Sequence, residues 1–352
     1  MFEEMAHKSA AWLTGEGPGS ETVLSSRIRL ARNIREFKFP PLVDTDMRDQ
    51  IVDFVESSFK SAALMDDGEF IKSNDINPLD RNFLVERHLI SPEFMKDSTG
   101  RAVYIDKAEA LSIMVNEEDH LRLQVISSGL AMEKCWEYAQ KIDDELAQKM
   151  DYAYDDKFGH LTSCPTNVGT GLRASILIHL PGLVLTRDIE NVISRISKVG
   201  LAVRGFYGEG TDVLGNLFQI SNQTTLGRSE EEIIDSLAKV TQQIIEYETN
   251  AQEKLINDAA DHIEDKVWRS YGILMHARVL TSNEVMNLLS ALRLGLSLGL
   301  IDKFDFRMLN ELLIITQPAH LQKYVGREMD TTERDMIRAD LIRQRMADYK
   351  QA

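Results

Sequence analysis

The chain has 352 residues, of which 43% are hydrophobic and 27% charged, and its formal net charge is −16. This composition is typical of a globular protein, and the acidic balance argues against direct binding to nucleic acid or to an anionic membrane, because both need a basic face. Two cysteines are too few for a disulfide framework, and we see neither a signal-peptide pattern nor an apolar run that spans a bilayer. We therefore expect a cytoplasmic protein.

Helical and strand patterns alternate after a turn-rich lead of residues 1–25. Residues 45–65 have helical spacing, with Ile51, Phe54, Val55 and Phe59 on one face. Further along we predict strands at 102–107, 110–119, 120–129, 175–180, 203–205 and 214–223, and helices at 131–151 and 190–200. The connections between strands are mostly short, which predicts antiparallel pairing and an α+β fold.

From Ser229 onward the apolar spacing is helical throughout. Ser229 and Glu232 fit a capping box, and Thr281 and Glu284 fit a second one. The last helix is expected through 331–349, with Ile337 and Leu341 facing inward and Met336 as a further candidate for the inner face. We therefore predict two domains, an α+β domain over 1–254 and a small all-helical domain over 255–352.

Five arginines stand in four segments that also carry glycine or serine. An acidic chain has no general reason to place cations beside residues that expose the backbone, whereas a site for a polyanion such as ATP does, because the arginine fork matches phosphate. The alternative is a set of ordinary surface arginines. No P-loop is present, and the sequence GTG at 169–171 lacks the strand before it and the helix after it that a dinucleotide fingerprint requires. The five are Arg27, Arg29, Arg122, Arg173 and Arg204.

Two acidic segments could face these arginines. The run 116–120 contains Glu117, Glu118 and Asp119 at a predicted strand end, and Glu209 lies between two glycines. Carboxylates near a phosphate clamp indicate a cationic substrate, and guanidinium is the natural one, because its phosphorylation needs a group that orients it and accepts its proton. The alternative is a solvated acidic turn. Cys164 is either an inert cysteine or a thiolate stabilised by the neighbouring Thr and Asn.

The histidines and the terminal helix indicate a function less specifically than the arginines and carboxylates do. His88, His120 and His179 lack metal-ligand spacing, so we infer no tightly held structural metal. Arg334 and Arg338 share a helix face, next to Asp335. They form either a solvated charged face or a pocket for a phosphate and a guanidinium.

In their order along residues 20–250, the motifs SSRIR, NEEDHLR, CPTNVGTGLR and VRG-x-x-GE resemble the phosphagen (ATP:guanidino) kinases. The resemblance implies an antiparallel sheet flanked by helices and the use of ATP with Mg²⁺. It further implies that Glu118 and Glu209 hold and polarise the guanidinium, with Cys164 beside it. Our own candidate for the proton acceptor is Glu118, with Glu209 as its orienting partner. The residues implied in nucleotide binding are Ser25, Ser26, Arg27, Ile28, Arg29, His88, Arg122, Arg173, Ala174, Ser175, Ile176, Leu177, Arg204, Gly205, Phe206, Tyr207 and Gly208.

Three departures from the small-molecule kinases stand out. Only about two dozen residues precede Ser25, where those kinases have a helical domain; the region after residue 255 has no counterpart in them; and Leu177 replaces a histidine. The first two features resemble the bacterial protein-arginine kinases of the same family, as does an RD-x-x-RA motif that implies an allosteric phosphoarginine pocket. The motif comprises Arg334, Asp335, Met336, Ile337, Arg338 and Ala339.

This closer resemblance implies that the substrates are proteins with exposed arginine, a heat-shock repressor among them. It also implies a zinc-binding activator protein and a Clp protease that degrades the marked proteins. Because the apolar content of the helical domain exceeds what one thin layer can bury, we expect that domain to form a homodimer. Two alternatives stay open: a small-molecule guanidino kinase, and a catalytically dead regulator that binds phosphoarginine.

Overall fold

The structure, a computed structural model, describes residues 1–97, 99–205 and 213–349. Its strands are β1 (Val23–Arg32), β2 (Gly68–Lys72), β3 (Ala102–Asp106), β4 (Leu111–Val115), β5 (Leu121–Ser128), β6 (Tyr154–Asp155), β7 (Gly159–His160), β8 (Leu172–His179), β9 (Leu201–Gly205) and β10 (Leu217–Asn222). Eight of them form one antiparallel sheet in the order β2-β3-β4-β5-β1-β8-β10-β9, and β6 pairs with β7 separately. The predicted antiparallel sheet is confirmed.

Helices flank this sheet and make up the C-terminal region. They are α1 (Phe2–Ala6), α2 (Thr45–Lys60), α3 (Pro78–Glu86), α4 (Pro92–Lys96), α5 (Met132–Ala147), α6 (Pro181–Leu185), α7 (Ile189–Lys198), α8 (Glu230–His276), α9 (Ser282–Ser297), α10 (Phe306–Ile315), α11 (Pro318–Val325) and α12 (Thr331–Asp348). In the described ranges, no helix combines the length and the apolar character that a membrane crossing needs.

Strand β1 lies in the middle of the sheet and divides its residues between two faces. Successive side chains of a strand point to opposite sides, so Ile28 and Leu30 enter the main hydrophobic core while Arg27 and Arg29 face the other way. The core is completed by α2, α5 and the first part of α8. Burying each large aliphatic side chain contributes about 1.5–3 kcal/mol to the free energy of unfolding. This face therefore stabilises the sheet, and the opposite face can carry polar functional groups.

The C-terminal helices share a second core with the sheet and with the N-terminal lead. Trp12 and Leu13 from the lead, and Leu24 and Leu177 from the sheet, pack with the apolar residues of α9 to α12. Arg293 of α9 adds a polar tie, because it donates to the backbone oxygens of Ser20 and Glu21 at 2.6 and 3.0 Å.

Two expectations for the helical region can be compared with α8 and α12. The Ser229–Glu232 capping box is present, and α8, which it opens, has non-helical dihedrals at Ala259 that divide it into two helical parts. The proposed boundary after residue 254 lies close to this break. Met336 as an inward residue is wrong: its side chain is 44% exposed, because the inner face of α12 is set by Arg338, Ala339 and Ile342.

Candidate active site

Four strands, β5, β1, β8 and β9, bring the predicted arginines onto one face of the sheet, with β10 between β8 and β9. Arg27 and Arg29 are two residues apart on β1, and Arg29 lies directly opposite Arg173 of β8. Arg122 of β5 is opposite Ala31, two positions further along the same face. Arg204 of β9 is opposite Gln219 of β10, whose side chain accepts a hydrogen bond from Arg27 at 2.8 Å. The register therefore turns four separate motifs into one cationic surface.

This surface is electrostatically unbalanced. Like charges directly opposite each other on a sheet destabilise it. Burial and the charges of Arg122 and Arg173 lower the pKa of Arg27 to about 10. Burial and the charges of Arg27, Arg122 and Arg173 lower the pKa of Arg29 as well, and its Nε atom is buried without an acceptor in the described part of the chain. A bound polyanion would satisfy these donors.

A cleft of about 700 Å³ opens over the arginines. Arg29, Arg122, Arg173 and Arg204 line it, and so do Glu118, Asp119 and Cys164. Residues that are far apart in sequence thus place guanidinium groups and carboxylates around one volume. A cleft of this size and polarity suits a charged ligand of nucleotide size.

The carboxylates stand on the tight hairpin between β4 and β5. Asn116 starts the turn with a φ of 60°, a left-handed conformation that asparagine tolerates, and donates from its side chain to the backbone oxygens of Arg48 and Gly100. Burial would raise the pKa of Glu117, but the Arg122 guanidinium and the Ser91 hydroxyl, which both donate to its carboxylate, lower it overall. Glu117 is therefore held as an anion that orients Arg122.

Glu118 differs from its neighbour, since it points into the open cleft. Partial desolvation and the charge of Asp119 raise the pKa of Glu118, although the residue is exposed, and its side chain forms a hydrogen bond with Cys164. A carboxylate with a raised pKa is a better proton acceptor than an ordinary glutamate. The hairpin thus offers one fixed anion and one group suited to acid–base chemistry.

Asp119, to which the sequence assigned no role of its own, ties the Cys164 loop to the sheet. One carboxylate oxygen accepts from Asn33 Nδ2 and from the Ser163 amide, both at 2.6 Å. Cys164 Sγ lies 3.0 Å from the Thr166 hydroxyl, and its backbone oxygen accepts from Thr162 at 2.8 Å. Asp119 is buried, which is the signal that separates it from the solvated acidic turn that the sequence also allowed.

A second, small cavity lies beside Arg27. Ser25, Ser175, Leu177, His88 and Trp12 line it. His88 has a φ of 61° and its ring meets the Trp12 ring edge-on at 5.5 Å. Burial and the charge of Arg27 lower the pKa of His88 to about 3, so the imidazole is neutral at physiological pH.

Other implied nucleotide residues lie elsewhere. Ser26 donates to the backbone oxygen of Gly129, and the side chains of Ile28 and Ala174 are in the main core, on the face opposite the cleft. Ile176 belongs to the same core but also borders the small cavity, and Gly205 ends β9. Glu209, Phe206, Tyr207 and Gly208 lie outside the described residues.

His120 and His179 bond to backbone and serine groups, as expected for structural histidines.

The residues of the RD-x-x-RA motif in α12 differ in burial and in their hydrogen bonds. Arg338 is 1% exposed and donates to the backbone oxygens of Thr316 and Leu280, both at 2.7 Å, and to Asp335. Arg334 is half-buried and donates to the Met329 backbone oxygen at 2.8 Å. Ala339 is buried and Ile337 partly so, whereas Met336 is exposed. Arg334 is therefore the arginine of this motif that a ligand could reach more easily.

Comparison with known proteins identifies the family. A model described as the ATP:guanido phosphotransferase C-terminal catalytic domain matches residues 50–251, and one described as the protein-arginine kinase McsB C-terminal domain matches residues 260–352. The chain belongs to the ATP:guanido phosphotransferase family. The resemblance noted in the motifs is thereby confirmed, and the chain is an ATP-dependent phosphotransferase.

Relatives of this phosphotransferase match it over nearly their full length. Protein-arginine kinase of Symbiobacterium thermophilum is 47% identical over 98% of this chain and 99% of that protein. Protein-arginine kinase of Geobacillus sp. strain WCH70 is 48% identical over 96% of this chain and 94% of that protein. Both alignments therefore include the sheet and the helical region together.

Solved structures show the same fold. Lombricine kinase has a TM-score of 0.59 at 25% identity and covers 69% of this chain and 70% of its own. The duplicated taurocyamine kinase of Schistosoma mansoni, with bound transition state analog components, has a TM-score of 0.60 at 24% identity, over 70% of this chain and 36% of its own. The shared part of the phosphotransferase is thus about two thirds of the chain.

We predict that Asp119→Ala lowers kcat by about tenfold or more, because the Cys164 loop loses its tie to β1 and the cleft its geometry. Asp119→Asn, which keeps one oxygen acceptor, should recover part of the loss. Asp151→Ala is the control, since the Asp151 side chain is exposed and pairs with Arg35 at the surface. Steady-state kinetics of the three variants check this, and equal kcat values for Asp119→Ala and Asp151→Ala would contradict it.

Proposed function

We propose that the chain is a protein-arginine kinase that transfers the γ-phosphoryl group of ATP to arginine side chains of proteins. The observation that carries this proposal is the single cleft in which four arginines face Glu118 and Cys164. The arginines suit the phosphates, and the acidic side suits an incoming guanidinium. The names of the full-length relatives add independent support.

In the proposed reaction, a guanidino nitrogen of the substrate attacks the γ-phosphorus and the bond to the β,γ-bridging oxygen breaks, which releases ADP. The nitrogen loses a proton, and Glu118 is the acceptor, with Glu209 as its orienting partner. Arg29, Arg122, Arg173 and Arg204 stabilise the charge that spreads over the phosphoryl oxygens. In phosphoryl transfer the protein supplies mainly positioning and such electrostatic stabilisation.

Mg²⁺ fits this site as a companion of ATP. No group of three potential metal-ligating side chains converges within the described residues. Mg²⁺ is commonly held by substrate phosphates and water with only one or two carboxylates, so a cleft whose arginines bind the phosphates needs no dedicated set of protein ligands for the ion. When bound, the ion would neutralise part of the phosphate charge.

The biological setting that we propose follows the closer resemblance. Phosphorylated proteins, a heat-shock repressor among them, would be marked for a Clp protease in the cytoplasm, and a zinc-binding protein would activate the kinase. The helical region, residues 255–352, is our candidate for homodimer formation and for phosphoarginine binding at the RD-x-x-RA motif. Exposed Trp268, Val279 and Met336 give that region apolar surface for a partner.

Glu118→Gln is expected to lower turnover by about a hundredfold or more while ATP binding is retained, because the amide keeps the shape but cannot accept a proton. Arginine phosphorylation of a protein substrate, measured by mass spectrometry at mildly basic pH, and nucleotide binding by calorimetry check this. Wild-type activity in the variant would refute the role.

The pH profile and the choice of substrate extend this test. Because the pKa of Glu118 is raised, its active anionic form is lost as pH falls through a value above the ordinary glutamate range, so the acidic limb of kcat should lie there.

Wild-type phosphorylation of free arginine in preference to protein arginine would favour a small-molecule kinase instead. Absence of any ATP turnover would favour a phosphoarginine-binding regulator.

Arg334→Ala is expected to reduce the change in rate that added phosphoarginine causes, because this half-buried guanidinium is the one a phosphate can approach. The measured quantity is the ratio of rates with and without phosphoarginine. Arg345→Ala, on the same helix, is the control because Arg345 lies outside the motif. The pocket is contradicted if both variants respond to phosphoarginine as the wild type does.

A further inference from the structure

A short β-hairpin, formed by β6 and β7, stands just before the Cys164 loop in the sequence. Residues 156–158 make its tip. Asp155 Oδ1 accepts from the backbone amides of Lys157 and Phe158 at 2.9 and 3.0 Å, which fixes the turn. Gly159 follows with a φ of 75°, a conformation that glycine adopts without strain. The tip of the hairpin is therefore an ordered turn.

The base of this hairpin is bonded to the rim of the cleft. His160 and Gly169 exchange two backbone hydrogen bonds, at 2.8 and 3.2 Å, so β7 is tied to the loop that leads into β8. Asn33 Nδ2 donates at 3.1 Å to the backbone oxygen of Leu161 and at 2.6 Å to Asp119, which lines the cleft. The hairpin therefore has a fixed position beside the acidic side of the cleft.

Two aromatic side chains of the hairpin are exposed. Tyr154 is 48% exposed and Phe158 is 45% exposed. The Tyr154 ring meets the His160 ring edge-on at 5.3 Å, and the Lys157 ammonium lies 5.2 Å from the centre of the Phe158 ring. An aromatic ring attracts a cation at such a distance. Together with Asp156, which is exposed at the tip, these rings form a surface suited to a basic side chain of a partner.

We propose that the β6–β7 hairpin is a docking surface for the segment of a protein substrate that flanks the target arginine, and that it favours a basic side chain in that segment. The inference rests on the proposed function, because the target guanidinium must reach Glu118 and Cys164. An arginine side chain is only a few bonds long, so the backbone that carries it lies at the rim of the cleft, where the hairpin stands.

Charge complementarity favours a basic segment over a neutral one. The tip carries two aspartates, Asp155 and Asp156, against one lysine, and the whole chain has a net charge of −16. Complementary charge raises the rate at which a cationic partner is captured and selects it over other partners. The exposed rings add contact area of the kind that dominates binding at interfaces.

The double variant Tyr154→Ala/Phe158→Ala tests the proposal. The substrates are two versions of one protein, each with a single arginine on an exposed segment, flanked by lysines in one version and by serines in the other. Wild type is expected to have about tenfold lower KM for the lysine version, and the double variant should lose most of this difference. Its kcat and its KM for ATP should stay within about twofold of wild type, because the catalytic groups are unchanged.

Tyr247→Ala is the matched control, because Tyr247 is an aromatic side chain that is 40% exposed on α8, beside α7. It should keep the wild-type preference. Asp156→Lys separates docking from loss of stability, since it reverses one exposed charge and leaves both rings in place. We expect it to raise KM for the lysine version at least about threefold and to leave KM for the serine version unchanged.

Equal KM values of wild type for the two versions would overturn the inference. So would a preference that survives in Tyr154→Ala/Phe158→Ala, or an unchanged KM for the lysine version in Asp156→Lys. Failure of the proposed function looks different, since wild type would then phosphorylate arginine in neither version.

Discussion

The structure depends on one electrostatic constraint, the concentration of guanidinium groups on one face of the central strands. Arg29 and Arg173 face each other directly, and Arg27 and Arg122 are close enough to lower the pKa of Arg29. Without an anion this arrangement costs stability, so the opposite face of β1 must be packed tightly to keep the strands together. The core around Ile28 and Leu30 supplies that packing, and the acidic hairpin supplies the first counter-charges.

Much of the fold and part of the site could be predicted from the sequence. The glycine- and serine-bearing motifs singled out the five arginines, and the short connections indicated antiparallel strands. The register could not be predicted, and it is the register that sets Arg29 against Arg173. The burial of individual side chains could not be predicted either. Asp119 and Glu118 are neighbours in an acidic run, yet Asp119 is buried and holds the Cys164 loop, whereas Glu118 faces the cleft. In α12, periodicity paired Arg334 with Arg338, but only the packing shows that Arg338 is already bound to backbone oxygens.

The helical region is part of the same body as the sheet rather than a loose appendage. Arg293 holds the backbone ahead of β1, and Ser290 contacts both His179 at the end of β8 and Asn216 in the turn before β10. These contacts tie α9 to two strands of the catalytic sheet. A change in the packing of α9 therefore has a short physical route to the cleft.

The central claim is that the arginine face binds the phosphate chain of ATP, and nucleotide affinity tests it most directly. Calorimetry of ATP and AMP with wild type, Arg29→Ala and, as a control, the exposed Arg269→Ala gives the comparison. A charge-assisted bond contributes about 1.5–3 kcal/mol, so Arg29→Ala should weaken ATP binding by about 10- to 100-fold. AMP binding should change much less. Equal losses for ATP and AMP, or no loss for either, would contradict the account.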